Sequence, residues 1–255
     1  MKPGLLPLCL LALLLAACTP PGGVRDSDQL DQPGSSPADL YVNLGVEYMR
    51  EGQLEVALEK LKYALHMDPR NAAGHNAIAV LYERLGKTEL ASEHYHRALS
   101  LDASSPFIHN AYGAFLCTRK QFTEADAHFR QAAEYPLNRA PEVALTNAGS
   151  CALQVPDADR AETYFRSALQ KNPEFAPALR QMVQISLDKQ AYLSSRAYLQ
   201  RYLAVAKHTA QTLWLGILTE RKLGDQDAVA SYELLLRADF PDSEQARQLE
   251  ESKTR

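Results

Sequence analysis

Several kinds of residue pattern are missing from these 255 residues, and each absence closes a functional class. There is no zinc-binding His-Glu-x-x-His, no phosphate-cradling Gly-x-x-x-x-Gly-Lys-Ser/Thr loop and no Gly-x-Ser-x-Gly elbow. The sequence therefore offers no catalytic signature, no metal or other cofactor and no small-molecule substrate. A basic excess is also lacking: 27 Lys and Arg stand against 31 Asp and Glu, a formal charge of -4. Nucleic-acid surfaces are clustered and basic, so neither DNA nor RNA is an expected partner. Long apolar runs are absent too. The stretch from Leu5 to Leu15 is shorter than the about 20 residues that a membrane-spanning helix needs. Tryptophan occurs once, as Trp214, and cysteine four times, at 9, 18, 117 and 151.

What the chain does have is a period. Ala57, Ala91 and Ala125 are spaced by 34 residues, Ala161 follows after 36, and Ser195 and Val229 after 34 each. Pro69, Pro173 and Pro241 are separated by 104 and 68 residues. The first gap is three periods plus two, so both series place one two-residue insertion near Arg139 to Pro141. A period of 34 with Leu-Gly-x-x-Tyr, then Ala-x-x-x-aromatic, then Pro is that of the tetratricopeptide repeat, a helix hairpin that stacks on its neighbours. The expected fold is all-α: a right-handed superhelical solenoid of six such helix pairs with a C-terminal capping segment.

The units are residues 38–71, 72–105, 106–139, 142–175, 176–209 and 210–243, followed by a polar capping tail, 244–255. The first shows the pattern most fully, with Tyr41, Leu44-Gly45, Tyr48, Ala57, Leu61, Ala64 and Pro69. Leu44 and Tyr48 lie one helical turn apart on one stripe of the first (A) helix. Gly45 and Ala57 are small enough to let the A and B helices approach, and Pro69 ends helix B. Ser105-Pro106 reads as a capped helix start. A polar terminal segment is what a solenoid requires for solubility.

The residues before the repeats read as an address. Residues 1–17 form a signal peptide with one lysine and a short apolar core. Leu15-Ala16-Ala17-Cys18 resembles the bacterial lipobox, which implies cleavage before Cys18 and lipidation of that cysteine. Multiple acyl chains hold a protein to a bilayer far more firmly than one. Thr19, rather than aspartate, follows the cysteine, which by the same resemblance favours the outer membrane. Residues 18–37 then form a Pro-, Gly- and Ser-rich tether, spanning roughly 24 Å r.m.s. as a flexible coil. Cleavage removes only Lys2 among charged residues, so 26 basic and 31 acidic side chains remain, a formal charge of -5.

Two cysteines remain, Cys117 and Cys151, on the A helices of units three and four. In an oxidising compartment they either form a disulfide or are two small buried apolar residues. His75 and His109 occupy equivalent positions and are expected to approach one another across neighbouring A helices as packing residues. His94 and His96 are two apart on one helix and point in opposing directions, so they share no metal.

In solenoids of this type the concave groove is lined by fixed A-helix positions. Here the fifth position of each unit holds Val42, Asn76, Asn110, Thr146, Arg180 and Trp214. Asn76 and Asn110 suit hydrogen bonding to an extended peptide backbone, and Phe107 adds an apolar contact. Trp214 reads either as an anchor in the groove or as packing under the terminal helix.

With lipobox, tether and six units in place, the chain resembles the PilF/PilW family of type IV pilus biogenesis lipoproteins. The similarity rests on His109-Asn110-Ala111-Tyr112-Gly113-Ala114-Phe115-Leu116-Cys117, on Thr146-Asn147-Ala148-Gly149-Ser150-Cys151, on Leu213-Trp214-Leu215-Gly216-Ile217 and on Phe240-Pro241-Asp242-Ser243. It departs at His109, where the family pattern has asparagine. The resemblance implies a pilotin or pilus-stability factor on the periplasmic face of the outer membrane, whose partners are the pilus secretin and other pilus assembly proteins. The alternative expectation is a tetratricopeptide lipoprotein adaptor for envelope proteases or cell-wall enzymes.

Overall fold

The computed structural model describes residues 36–155 and 158–253. The signal peptide, Cys18 and nearly all of the tether lie outside the described residues. Among the described residues there are thirteen α-helices and no strand. They are α1 (Pro37–Arg50), α2 (Leu54–Met67), α3 (Ala72–Arg84), α4 (Thr88–Leu101), α5 (Pro106–Thr118) and α6 (Phe122–Glu134). After the insertion come α7 (Pro141–Ala152), α8 (Ala158–Lys171), α9 (Ala176–Asp188), α10 (Tyr192–Val205), α11 (Ala210–Leu223), α12 (Gln226–Asp239) and α13 (Glu244–Lys253). Odd-numbered helices up to α11 are A helices, and each packs on the even-numbered B helix that follows. Neighbouring hairpins stack in chain order, and α13 rests on α11 and α12.

Proline marks three of the starts. Pro37, expected in the tether, is instead the first residue of α1, and Pro106 and Pro141 open α5 and α7. A fixed φ and a missing N–H cost nothing at a first helical position. Ser105 does stand at the N-cap of α5, but its hydroxyl makes no capping bond. Asn71, the N-cap of α3, does: its Oδ1 accepts from the Gly74 N–H at 2.7 Å, while its amide donates to Asp39 at 2.6 Å and ties the start of α3 to α1.

The alanine series forms the spine of the core. Ala57, Ala91, Ala125, Ala161 and Ser195 are fully buried, and Val229 nearly so. Facing them, small A-helix residues make room for large B-helix ones. A Cβ on Gly45 would sit 2.6 Å from Leu61 Cγ, and one on Gly149 2.8 Å from the Phe165 ring. At the same two positions unit two has Ala79 with Tyr95 and unit five Val183 with Leu199. Ser195 keeps its buried hydroxyl satisfied with the Val183 carbonyl and the Thr219 hydroxyl.

The expected stripe of unit one is only half realised. Leu44 is 41% exposed, whereas Ile78 and Met182, its equivalents in units two and five, are 1% exposed. This position is covered by the preceding hairpin, and unit one is the first. At the other end Ala246 and Leu249 of α13 close the core with Leu213, Ile217, Val229 and Leu236. The capping tail is therefore an amphipathic helix with an apolar face on the last hairpin.

Candidate functional site

Residues at the fifth A-helix position lie on successive A helices, which pack side by side from α1 to α7 and again from α9 to α11. Val42 is buried, Asn76, Asn110, Arg180 and Trp214 are half-buried, and Thr146 is buried. Asn110 and Asn76 do not bond to each other. The Asn110 Oδ1 accepts from the Asn147 amide of α7 at 2.9 Å, which leaves the Asn110 N–H pair to donate outward. Asn147 is read in the sequence only as part of the Thr146–Cys151 segment that carries the family resemblance, not as a groove residue; its place beside Thr146 is the signal for that role. Asn76 Oδ1 and Thr146 Oγ1 are buried oxygens without a protein partner among the described residues.

Much of the remaining polarity is already satisfied within the solenoid. Arg180 donates to Gln211 at 2.8 Å, Arg84 donates to the Met49 carbonyl at 2.8 Å, and the Tyr95 hydroxyl donates to Glu83 at 3.2 Å. Burial raises the Glu83 carboxyl above the usual carboxylate range, and burial together with Glu83 pushes the Tyr95 phenol up. Such groups hold neighbouring helices in register more than they reach for a ligand.

The open part of this face is its middle. Phe107 is 73% exposed, and with Pro106, Asn110 and Val143 it borders a recess of about 60 Å³ closed by Asn138 and Ala140. Asn138 shapes that wall: its amide donates to the Ala132 carbonyl at 2.7 Å and its Oδ1 accepts from Ala140 N–H at 2.9 Å. The two-residue insertion therefore has a defined conformation beside the recess. Directly across the same boundary Cys117 and Cys151 form a disulfide with Cα atoms 5.9 Å apart, inside the range the bond demands. Gln154 donates to Cys117 Sγ at 3.3 Å. An apolar ring, free amide donors and a covalently fixed helix pair make a seat for a peptide segment rather than a reaction centre.

Trp214 is not presented in the same way. It packs on the terminal cluster that includes Leu213, Ala246 and Leu249, so it belongs to the core of the last unit. The histidines also differ from expectation. His75 does not meet His109. Each bonds inside its own hairpin, His75 to His94 and His109 to His128. The ring at this A-helix position turns toward helix B of the same unit, which repeat spacing alone does not show. Among the described residues, no three of His, Cys, Asp and Glu gather as a metal site.

Together these hairpins make the chain a tetratricopeptide-type solenoid, and the Tetratricopeptide repeat family model matches residues 72–105. A solenoid of this kind is a binding scaffold and not an enzyme. Over 234 residues the chain is 29% identical to the type IV pilus assembly protein PilF of Pseudomonas aeruginosa, covering 92% of each chain. The solved structure of Pseudomonas aeruginosa PilF superposes with a TM-score of 0.74 at 29% identity, over 84% of this chain and 97% of that one. PilW, a widely conserved type IV pilus biogenesis factor, superposes equally well over 84% of this chain and 99% of its own. The Cut9–Hcn1 assembly of APC/C, at 16% identity, TM-score 0.66 and 83% and 42% coverage, shares the fold alone. The chain is thus similar to PilF and PilW over most of its length, in sequence and in structure.

Proposed function

We propose that this chain is a tetratricopeptide scaffold of type IV pilus biogenesis that binds the pilus secretin and promotes its assembly in the outer membrane. The observation that carries the pilus assignment is the end-to-end similarity to PilF and PilW, in sequence and in structure. A binding role in that process fits the recess bordered by Phe107, Asn110 and Val143. The sequence Leu-Ala-Ala-Cys18 supports a lipid anchor on the periplasmic face of the outer membrane. Confinement to that leaflet raises the effective concentration of the seat for a membrane-bound partner without any new contact.

Affinity capture from the bacterial envelope tests the partner. Secretin subunits should be recovered with the wild-type chain and depleted with Phe107→Ser. Recovery of proteases or amidases in their place would favour an envelope adaptor and overturn the secretin reading.

A further inference from the structure

The contact between helix A and helix B changes character along the solenoid. At the fourth position of helix A and the facing position of helix B, units four to six hold Leu145 and Tyr164, Leu179 and Tyr198, and Leu213 and Tyr232. Units two and three hold histidine at both places: His75 with His94, and His109 with His128. The Nδ1 atoms face each other at 2.9 Å in the first pair and 2.8 Å in the second. Ring centroids are 5.0 Å apart in both, close to that separation plus the two ring radii, so the nitrogens meet head-on. Their lone pairs lie along one line and do not converge on a third point, which is hydrogen-bond geometry and not chelate geometry.

Carbonyl groups assign the protons. His75 Nε2 lies 3.2 Å from the Pro69 carbonyl, and His109 Nε2 lies 3.0 Å from the Ala103 carbonyl. A carbonyl only accepts, so both Nε2 atoms carry hydrogen, and in the neutral rings Nδ1 of His75 and His109 are acceptors. His94 and His128 therefore donate from Nδ1. A first proton enters at Nε2 of His94 or His128 and leaves the shared bond intact and charge-assisted. A second must enter at Nδ1 of His75 or His109. Two N–H groups then face each other at hydrogen-bond distance, and two positive rings adjoin.

We propose that these pairs are a proton-operated latch: with at most one proton added, each holds helix A to helix B, and the second proton releases that contact. Acid then loosens α3 to α6, while the leucine–tyrosine contacts of units four and five stay closed; beside unit six, His208 packs on Tyr232 and is a separate acid-sensitive group. The surroundings grade the response. Around the first pair stand Asp68 before α3, Tyr82 of α3, and Glu93 and Arg97 of α4, with Lys87 beyond the Tyr82 ring. Around the second stand His96 of α4, Tyr112 of α5 and, against Tyr112, Glu124 of α6. Asp68 and Glu93 favour protonation of the first pair against the opposing Arg97, whereas the neighbours acting on His128, His109 and His96, both oppose it, so the first pair releases at the higher pH.

Burial lowers the pKa of His75 and His94, and it lowers that of His128 to about 4 with help from His109 and His96. A histidine held below its unfolded value contributes stability that is complete above about pH 6.5 and is lost as pH falls through the folded pKa. For His128 that window extends from about 6.5 down to about 4.

Hydrogen exchange of the full chain at pH 7.5 and pH 4.5, corrected for intrinsic rates, tests the latch. Protection of α3 to α6 should fall by about tenfold for each unit of depressed pKa that is crossed, with α8 and α9, which hold no histidine, unchanged; α11 and α12 are not the reference, because His208 packs on Tyr232 and burial lowers its pKa too. The chain's own later units supply the pH-blind control: His75→Leu with His94→Tyr and His109→Leu with His128→Tyr should abolish the acid response. Equal acid loosening in wild type and in this control, or in α8 and α9, overturns the proposal. Should the control fail to fold, histidine NMR titration of the wild type decides. The proposal requires two-step titration with Nδ1-H on His94 and His128; four independent single-step titrations at the free-histidine pKa refute it.

Discussion

Every A-to-B turn whose backbone is described bends through a left-handed residue, and two of these residues are not glycine. Gly52, Gly86 and Gly224 have φ of 77°, 68° and 79°; the equivalent Lys120 and Gln190 have φ of 63° and 58°. The same hydrogen bonds close the turns around Gly86, Lys120 and Gln190. Lys120 N–H donates to the Cys117 carbonyl at 2.9 Å and Gln121 N–H to Leu116 at 2.9 Å, as Gly86 does to Glu83 and Lys87 to Tyr82. This is the Schellman motif, whose left-handed residue is penalised when it carries a Cβ. Lys120 and Gln190 are both exposed, so replacing either removes little packing. Relief of the left-handed conformation is worth about 1–2 kcal/mol, and the extra freedom of glycine in the unfolded chain takes back about 0.4–1 kcal/mol. Lys120→Gly and Gln190→Gly should each stabilise by about 0.5–1 kcal/mol. The sites belong to different hairpins and should add.

Repeat arrays need not unfold in one step, so urea midpoints should be read alongside hydrogen exchange in α5–α6 and α9–α10. The single variants should protect their own hairpin, and the double variant should raise the thermal midpoint by about 2–4 °C per kcal/mol. Gly86→Ala is the reciprocal test and should destabilise by about 1 kcal/mol. If the double variant melts at or below wild type while Gly86→Ala is neutral, the left-handed turn carries no strain and the argument fails.

That turn also shows where sequence reading reaches and where it stops. The alanine and proline series give the register because every unit must place a small residue where its two helices touch. They do not show that Lys120 and Gln190 adopt the glycine conformation, since the stacked hairpins impose it from outside the turn. Gly45 and Gly149 were readable as close-approach positions because their large partners, Leu61 and Phe165, repeat at fixed distance. The histidine pairs were not. Spacing tells which positions are equivalent, but a ring at the fourth position can turn toward the neighbouring unit or toward its own B helix. Carbonyls at Pro69 and Ala103, which hold His75 and His109 inward, are features of backbone geometry. Trp214 is similar: its position marks the groove, yet the last unit has only α13 to cover its core, and the ring packs there.

Gly45→Leu should destabilise by about 1–3 kcal/mol through overpacking, since even a Cβ there would stand 2.6 Å from Leu61; a melt identical to the parent would contradict the packing. Cys18→Ala should yield a folded domain that leaves the membrane fraction and no longer supports normal piliation, and wild-type piliation by that soluble form would refute the proposed anchor. The disulfide gives the last expectation. Cys117 and Cys151 belong to α5 and α7, on either side of the two-residue insertion, and close a loop of 34 residues. A loop of that size restricts the unfolded chain by about 3–4 kcal/mol. Cys117→Ala with Cys151→Ala keeps small apolar groups at both buried places, so nearly all of its cost should come from the lost cross-link. The urea midpoint should fall accordingly, and exchange should rise first in α5 to α8, where the insertion interrupts regular stacking. Two alkylatable thiols on freshly isolated, non-reduced wild-type protein, or a double variant as stable as the parent, would show that the boundary between units three and four is held by packing alone.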